Sequence, residues 1–158
     1  MSPLPHLAIA LAVLSGSLLA PVASAEEPAL IAAKASELQW SAAPSVGPGA
    51  MITVIEGDLK SAAPFTIRLK LPANSTIGMH THPTTERVTV ISGNFYLGIG
   101  DQSDPAAATT YEAGDTVIIP AGMSMIAGTH ADEAVLQLHG TGPWGIDYHD
   151  PADDPANH

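Results

Sequence analysis

The sequence predicts an all-β domain, a sandwich or barrel of short strands, behind a removable leader. Three observations predict it. From Met51 onward the chain is a series of short runs rich in β-branched and aromatic residues. Gly, Pro, Asn and Asp clusters punctuate those runs, and the spacing leaves no room for βαβ crossovers.

The leader comes first. Leu7 to Ala20 is an apolar run broken only by Ser15, Gly16 and Ser17, and Ala23-Ser24-Ala25 offers a small-x-small cleavage pattern before Glu26 and Glu27. A membrane-spanning helix is the competing reading, but the run falls short of about 18–20 residues and Pro21 interrupts it. The segment before the run holds no Lys or Arg, only His6 and the amino terminus, which is unusual for a signal peptide. Residues 1–25 are therefore expected to be a cleaved signal and residues 26–158 one domain, with its barrel core at about 50–148 and a periplasmic or secreted location.

The strands and loops come in a clear order. Ala29 to Trp40 is undecided between a short strand and a helical turn, and Ala42 to Gly49, with two Pro and two Gly, reads as a loop. Strands are expected at Met51–Ile55, Phe65–Lys70, Ile77–His82, Glu86–Ile91 and Phe95–Ile99. Five more are expected at Thr109–Tyr111, Thr116–Ile119, Met123–Ala127, Ala134–His139 and Ile146–Tyr148. Turn signals between them include Glu56-Gly57-Asp58, Ser92-Gly93-Asn94, Ala113-Gly114-Asp115 and Pro120-Ala121-Gly122. The polar tail from Asp150 is expected to lie on the surface or fray.

Composition excludes several functions. The formal net charge is −11, and none of it lies before Glu26, so nucleic acid and anionic lipid are poor partners. There is no Cys, so disulfides, thiolate ligands and thiol nucleophiles are all absent. No phosphate-binding glycine pattern and no nucleophile-elbow serine occurs.

The chemistry concentrates in His80-Thr81-His82-Pro83-Thr84-Thr85-Glu86. Two histidines one residue apart on a strand share a face, their Cβ atoms roughly 6.6 Å apart. Both imidazoles can converge on one ion at about 2.0–2.1 Å per bond. Glu86, after a Pro-Thr-Thr turn, can return a carboxylate oxygen to the same point. The stretch reads as a two-His-one-carboxylate metal site on a β-hairpin.

Gly78 to Gly93, reading His-x-His, three residues, Glu, six residues, Gly, resembles the first motif of the cupin superfamily. Gly114 to Gly122, reading Gly, five residues, Pro-x-Gly, resembles the first half of its second motif. The wider chain from about Trp40 to Pro155 is similar to small single-domain bacterial cupins. The resemblance implies a double-stranded β-helix, a jelly-roll barrel holding one divalent metal, with His80, His82 and Glu86 as ligands. It also places a third histidine three residues beyond the Pro-x-Gly glycine, where this chain has Met125.

Three readings of Met125 stand side by side. It fills an apolar pocket and the site is weakened; or His80, His82 and Glu86 suffice as a facial triad; or the thioether is a ligand that shifts preference toward copper. The metal is accordingly Fe, Mn, Zn or Cu.

Gln137 and His139 share one face of their strand, with Leu136 and Leu138 on the other. By analogy with cupin barrels the polar pair is expected to face the cavity as substrate contacts, with His139 the candidate base; a solvated strand face is the alternative. Arg68 and Lys70 point away from Phe65, Ile67 and Leu69, so they either attract a carboxylate substrate or form an ordinary solvated face. Trp40 and Trp144 read as packing residues, His130 as a loop residue, and His149 and His158 as parts of the tail.

Two functions are expected. One is an exported metalloenzyme acting on a small oxygen-bearing substrate, oxygenase- or isomerase-like. The other is a non-catalytic periplasmic cupin that binds copper or a small ligand, its site degraded. Partners would be a small molecule or a metal and not nucleic acid, with no membrane span after cleavage. Dimerisation through a barrel edge is common in such folds and would protect an exposed strand.

Overall fold

The computed structural model describes residues 29–100 and 104–157. The expected signal peptide, residues 1–25, lies outside the described residues, as does His158. Among the described residues no helix is long and apolar enough to cross a membrane.

Among the described residues, eleven antiparallel strands in two sheets build the unit that begins at Ile31. These are β1 (Ser41–Ala42), β2 (Met51–Glu56), β3 (Pro64–Leu71), β4 (Thr76–Thr81), β5 (Glu86–Ser92) and β6 (Asn94–Ile99). β7 (Thr109–Glu112), β8 (Thr116–Ile119), β9 (Met125–Gly128), β10 (Ala134–Thr141) and β11 (Asp147–Tyr148) complete them. One sheet runs β1-β2-β3-β10-β5-β8, the other β11-β4-β9-β6-β7. From β3 onward the chain crosses repeatedly between the sheets, as a jelly roll requires. Every expected strand from Met51 onward is present. β1 lies at the edge of a stretch expected to be loop, and the undecided Ala29–Trp40 segment holds a single 3-10 turn, Ala35–Glu37.

Alternation sets the core. β3 buries Phe65, Ile67, Leu69 and Leu71 and turns Thr66, Arg68 and Lys70 outward. β10 buries Leu136 and Leu138 against it, and β5 adds Val88 and Val90. From the facing sheet come Ile77, Phe95, Leu97, Met125 and Ala127. Each fully buried Leu, Ile or Phe contributes about 1.5–3 kcal/mol, so the two inner faces close on one apolar interior.

An irregularity in β4 positions the first histidine. In the β4–β9 pairing Ile77 stands opposite Ala127 and His80 opposite Met125, so β4 carries one extra residue between these points. Strict alternation would put Ile77 and His80, three residues apart, on opposite faces. The bulge brings both inside, and both are buried.

Gly93 makes the turn between β5 and β6 at φ +75°, and a Cβ there would collide with the carbonyl oxygen of Glu133. No residue with a side chain satisfies both conditions.

Candidate metal centre

His80 lies near the end of β4, His82 follows just past it, and Glu86 opens β5. All three are buried, at 2%, 5% and 2% exposure, and Met125 at 1% lies beside them on β9. The two halves of the motif meet at the backbone, where the Gly122 N–H donates to the carbonyl of His82 at 2.9 Å.

Each imidazole is oriented by the main chain. Nδ1 of His80 lies 2.7 Å from the carbonyl oxygen of Gly78, and Nδ1 of His82 lies 2.6 Å from that of Gly145. A carbonyl can only accept, so both protons are assigned to Nδ1, and in the neutral rings Nε2 carries a bare lone pair. The rings stand edge to face, centroids 4.9 Å apart at 88°. Nε2 of His82 faces Oε2 of Glu86 at 3.3 Å.

Burial shapes the charge states. It lowers the His80 pKa from 6.5 to about 4, helped by neighbouring His82 and His149 and opposed by the Gly78 carbonyl. Burial pushes the Glu86 carboxyl up, against the pull of His82 and of the Trp144 indole. The neutral ring and the reluctant carboxylate follow from desolvation.

A cavity of about 30 Å³ is lined by His80, His82, Glu86, Met125, Trp144 and Ile146, together with core side chains. A water needs roughly 10–15 Å³ by this measure, so the space takes a single ion or a water or two. A larger groove of about 570 Å³ lies outside the barrel between residues 31–41 and β2 and contains none of these side chains.

Trp144, expected to be a packing residue, is part of the site. Its indole N–H donates to Oε1 of Glu86, and its ring stacks on His82 with centroids 6.2 Å apart at 19°. The sequence offered one usable signal, the Gly142-Pro143-Trp144-Gly145 turn just after β10, which returns the chain to the barrel mouth. Trp40 sits elsewhere, under the ammonium of Lys70 at 4.8 Å.

Gln137 and His139 need correction. Leu136 and Leu138 line the cavity, so alternation puts Gln137 and His139 on the outer face of β10. There Gln137 accepts from Nε of Arg68 at 3.2 Å, and His139 is exposed beside Arg87 and Thr66. Neither lines the interior. His130 is exposed with its ring 5.0 Å from that of Tyr96, and His149 is exposed near Ser124.

The donor set fits an ion in chemistry more fully than in grouping. Among the described residues no three His, Asp or Glu side chains are grouped so as to hold a metal. Oε1 of Glu86 accepts from Trp144, and Oε2 faces the bare Nε2 of His82. Yet two carbonyl-tethered imidazoles, the arrangement common to histidine metal ligands, present Nε2 to the cavity.

Two antiparallel sheets closing on inward imidazoles and a carboxylate define the class: a jelly-roll barrel with a buried polar cluster inside. Residues 67–136 match the cupin domain family, so the chain carries a cupin domain over that stretch. No curated protein sequence matches it. Among solved structures, the polyketide cyclase RemF from Streptomyces resistomycificus is similar at TM-score 0.67 and 13% identity, over 80% of this chain and 90% of that one. An RmlC-like cupin protein from Ralstonia eutropha JMP134 follows at 0.60 and 17%, over 81% and 76%. KdgF from Halomonas sp. aligns at 0.52 and 16%, over 68% and 92%. At these identities the likeness is one of fold.

Proposed function

We propose that this protein is an exported metal-binding cupin that takes one transition-metal ion into the barrel, between His80, His82 and Glu86 with Met125 alongside. The observation that carries the reading is the pair of Nδ1 tethers, to Gly78 and Gly145, which fix both imidazoles with Nε2 as acceptor. Two acceptors, Nε2 of His82 and Oε2 of Glu86, face each other at 3.3 Å and need a proton or a cation between them. Export rests on the apolar run and the Ala23-Ser24-Ala25 pattern alone.

His80 and His82 would supply neutral nitrogen, Glu86 one oxygen and Met125 a soft sulfur. That set suits copper or zinc better than an ion demanding six oxygens. A bound ion would supply Lewis acidity or, if copper, a redox centre. The cavity of about 30 Å³ favours holding an ion over turning over a substrate of several heavy atoms.

The test is metal content of the mature protein by mass spectrometry after loading with Cu, Zn, Fe and Mn in turn, with His82→Ala and His80→Ala beside it. One equivalent retained by the wild type and lost in both variants supports the reading. Equal retention in all three proteins rejects it.

A further inference from the structure

The structure assigns a ligand site to the outside of the barrel: a cleft that takes a small oxyanion on the guanidinium of Arg87. It shares no residue with the buried cluster and needs no ion inside the barrel.

Alternation separates the two. Glu86 opens β5 pointing inward and is buried, so Arg87 beside it points outward and is exposed. His139 stands directly opposite Arg87 in the β5–β10 pairing. Two residues further along, the same register places Thr141 opposite Thr85, on the face that carries Arg87. Thr84, Thr85, Arg87, Thr141 and Gly142 line a cleft of about 370 Å³. A molecule of several heavy atoms fits there, whereas the barrel interior offers about 30 Å³.

Two observations point to a ligand in this cleft. The first is Arg87 itself, a free cation in a chain with 16 acidic and 5 basic residues. Of the two arginines, Arg68 gives Nε to Gln137 at 3.2 Å. The Arg87 side chain makes no hydrogen bond or ion pair among the described residues. The second is Thr84, whose Oγ1 is buried without a hydrogen-bond partner. Among the described residues no other buried side-chain oxygen or nitrogen is left so. An unpaired buried hydroxyl costs free energy, which a polar ligand atom at that point returns.

The residue types name the ligand. A guanidinium is a planar fork of donors that meets a carboxylate or a phosphate with two parallel hydrogen bonds. The hydroxyls of Thr84, Thr85 and Thr141 can donate to the remaining oxygens or accept from a hydroxyl of the same ligand. Charge sets the size. A net charge of −11 repels an extended polyanion, but a small anion within a Debye length of about 8 Å of Arg87 feels chiefly that cation. Arg68 and Lys70, turned to the same outer side of the sheet, add to the local potential. The ligand is therefore a small carboxylate or phosphate and not an anionic polymer.

The test titrates the isotope-labelled mature protein with malate and, separately, with inorganic phosphate in a low-salt buffer, followed by NMR. Saturable shifts are expected at the Arg87 Nε–H and at the amides of Thr84, Thr85, Thr141 and Gly142. Glycerol, hydroxylated but neutral, should cause none. Saturation by malate alone makes the site one for carboxylates, by phosphate alone one for phosphates, and by both one for the shared oxyanion. Arg87→Gln changes an exposed and unpartnered side chain, so the unfolding midpoint should stay unchanged while affinity falls about tenfold or more. Thr84→Val removes only the unpaired hydroxyl, and affinity should fall about threefold or more with the midpoint unchanged or raised. A lowered midpoint with unchanged affinity would make Thr84 a structural residue and overturn its part. No saturable shift with either anion, or equal affinity in the wild type and Arg87→Gln, overturns the site. Neither result bears on metal content, so the reading of the barrel interior is tested separately.

Discussion

Oε2 of Glu86 faces Nε2 of His82 at 3.3 Å, and the opposite ring nitrogen of His82 is committed to the Gly145 carbonyl. Two lone-pair-bearing atoms in a buried site repel unless something positive lies between them. In the metal-free protein that role falls to a proton, and burial favours it by raising the Glu86 pKa.

Glu86→Gln removes the conflict. The amide oxygen can still accept from Trp144, and the amide N–H can donate to His82. The variant should be more stable than the metal-free wild type by about 1–2 kcal/mol near pH 8, and should retain no metal. A carboxyl whose folded pKa is raised contributes stability that is present below its unfolded value of 4.5 and lost as pH rises through the folded value. The gap between the variants should therefore widen from pH 5 to pH 8 in urea unfolding. A constant gap would show that Glu86 carries no such cost.

His80 acts in the other direction. Its pKa falls from 6.5 unfolded to about 4 folded, so the unfolded chain binds its proton first as pH drops. Stability should be lost between pH 6.5 and pH 4, by an amount on the order of 3 kcal/mol. Measured in the Glu86→Gln background, the loss should be absent when His80 is also replaced by Gln. Identical pH profiles would count against a buried neutral imidazole.

Met125 sits directly opposite His80 across the β4–β9 pairing, both inside. Met125→Leu conserves volume and should cost less than about 1.5 kcal/mol in stability. Copper(I) retention against a competing chelator should fall by about tenfold, the equivalent of ~1.4 kcal/mol. Full retention would make the methionine a packing residue only.

Gln137→Ala and His139→Ala should leave metal retention unchanged, because both side chains lie on the outer face of β10. Loss of retention in either would require a route from that face to the interior that no observed contact provides.

Gly93→Ala tests the motif glycine as a backbone device. A φ of +75° and the collision of a Cβ with the Glu133 oxygen should together cost at least about 2 kcal/mol, read from the thermal midpoint. A neutral outcome would mean that the turn relaxes.

Much of this was legible along the chain because it is local. Alternation in Phe65–Leu71 named the buried side of β3, and the Gly and Pro clusters fixed where strands stop. Spacing alone put His80 and His82 on a common side with Glu86 within reach. Gln137 and His139 show the limit: Leu-x-Leu against Gln-x-His reveals that a strand has two faces, and the choice of the inner one belongs to the packing. Burying two leucines is favourable and burying two polar groups without partners is costly, so Leu136 and Leu138 went inside.

The sequence by itself determined an all-β chain and the donor atoms it could offer. Tertiary structure decided where those donors point. A single extra residue in β4 turned His80 inward beside Ile77, and a loop more than fifty residues beyond Glu86 brought Trp144 and the Gly145 carbonyl back onto Glu86 and His82. Those contacts join positions distant in the chain, and such positions meet only when the two sheets close on a common interior.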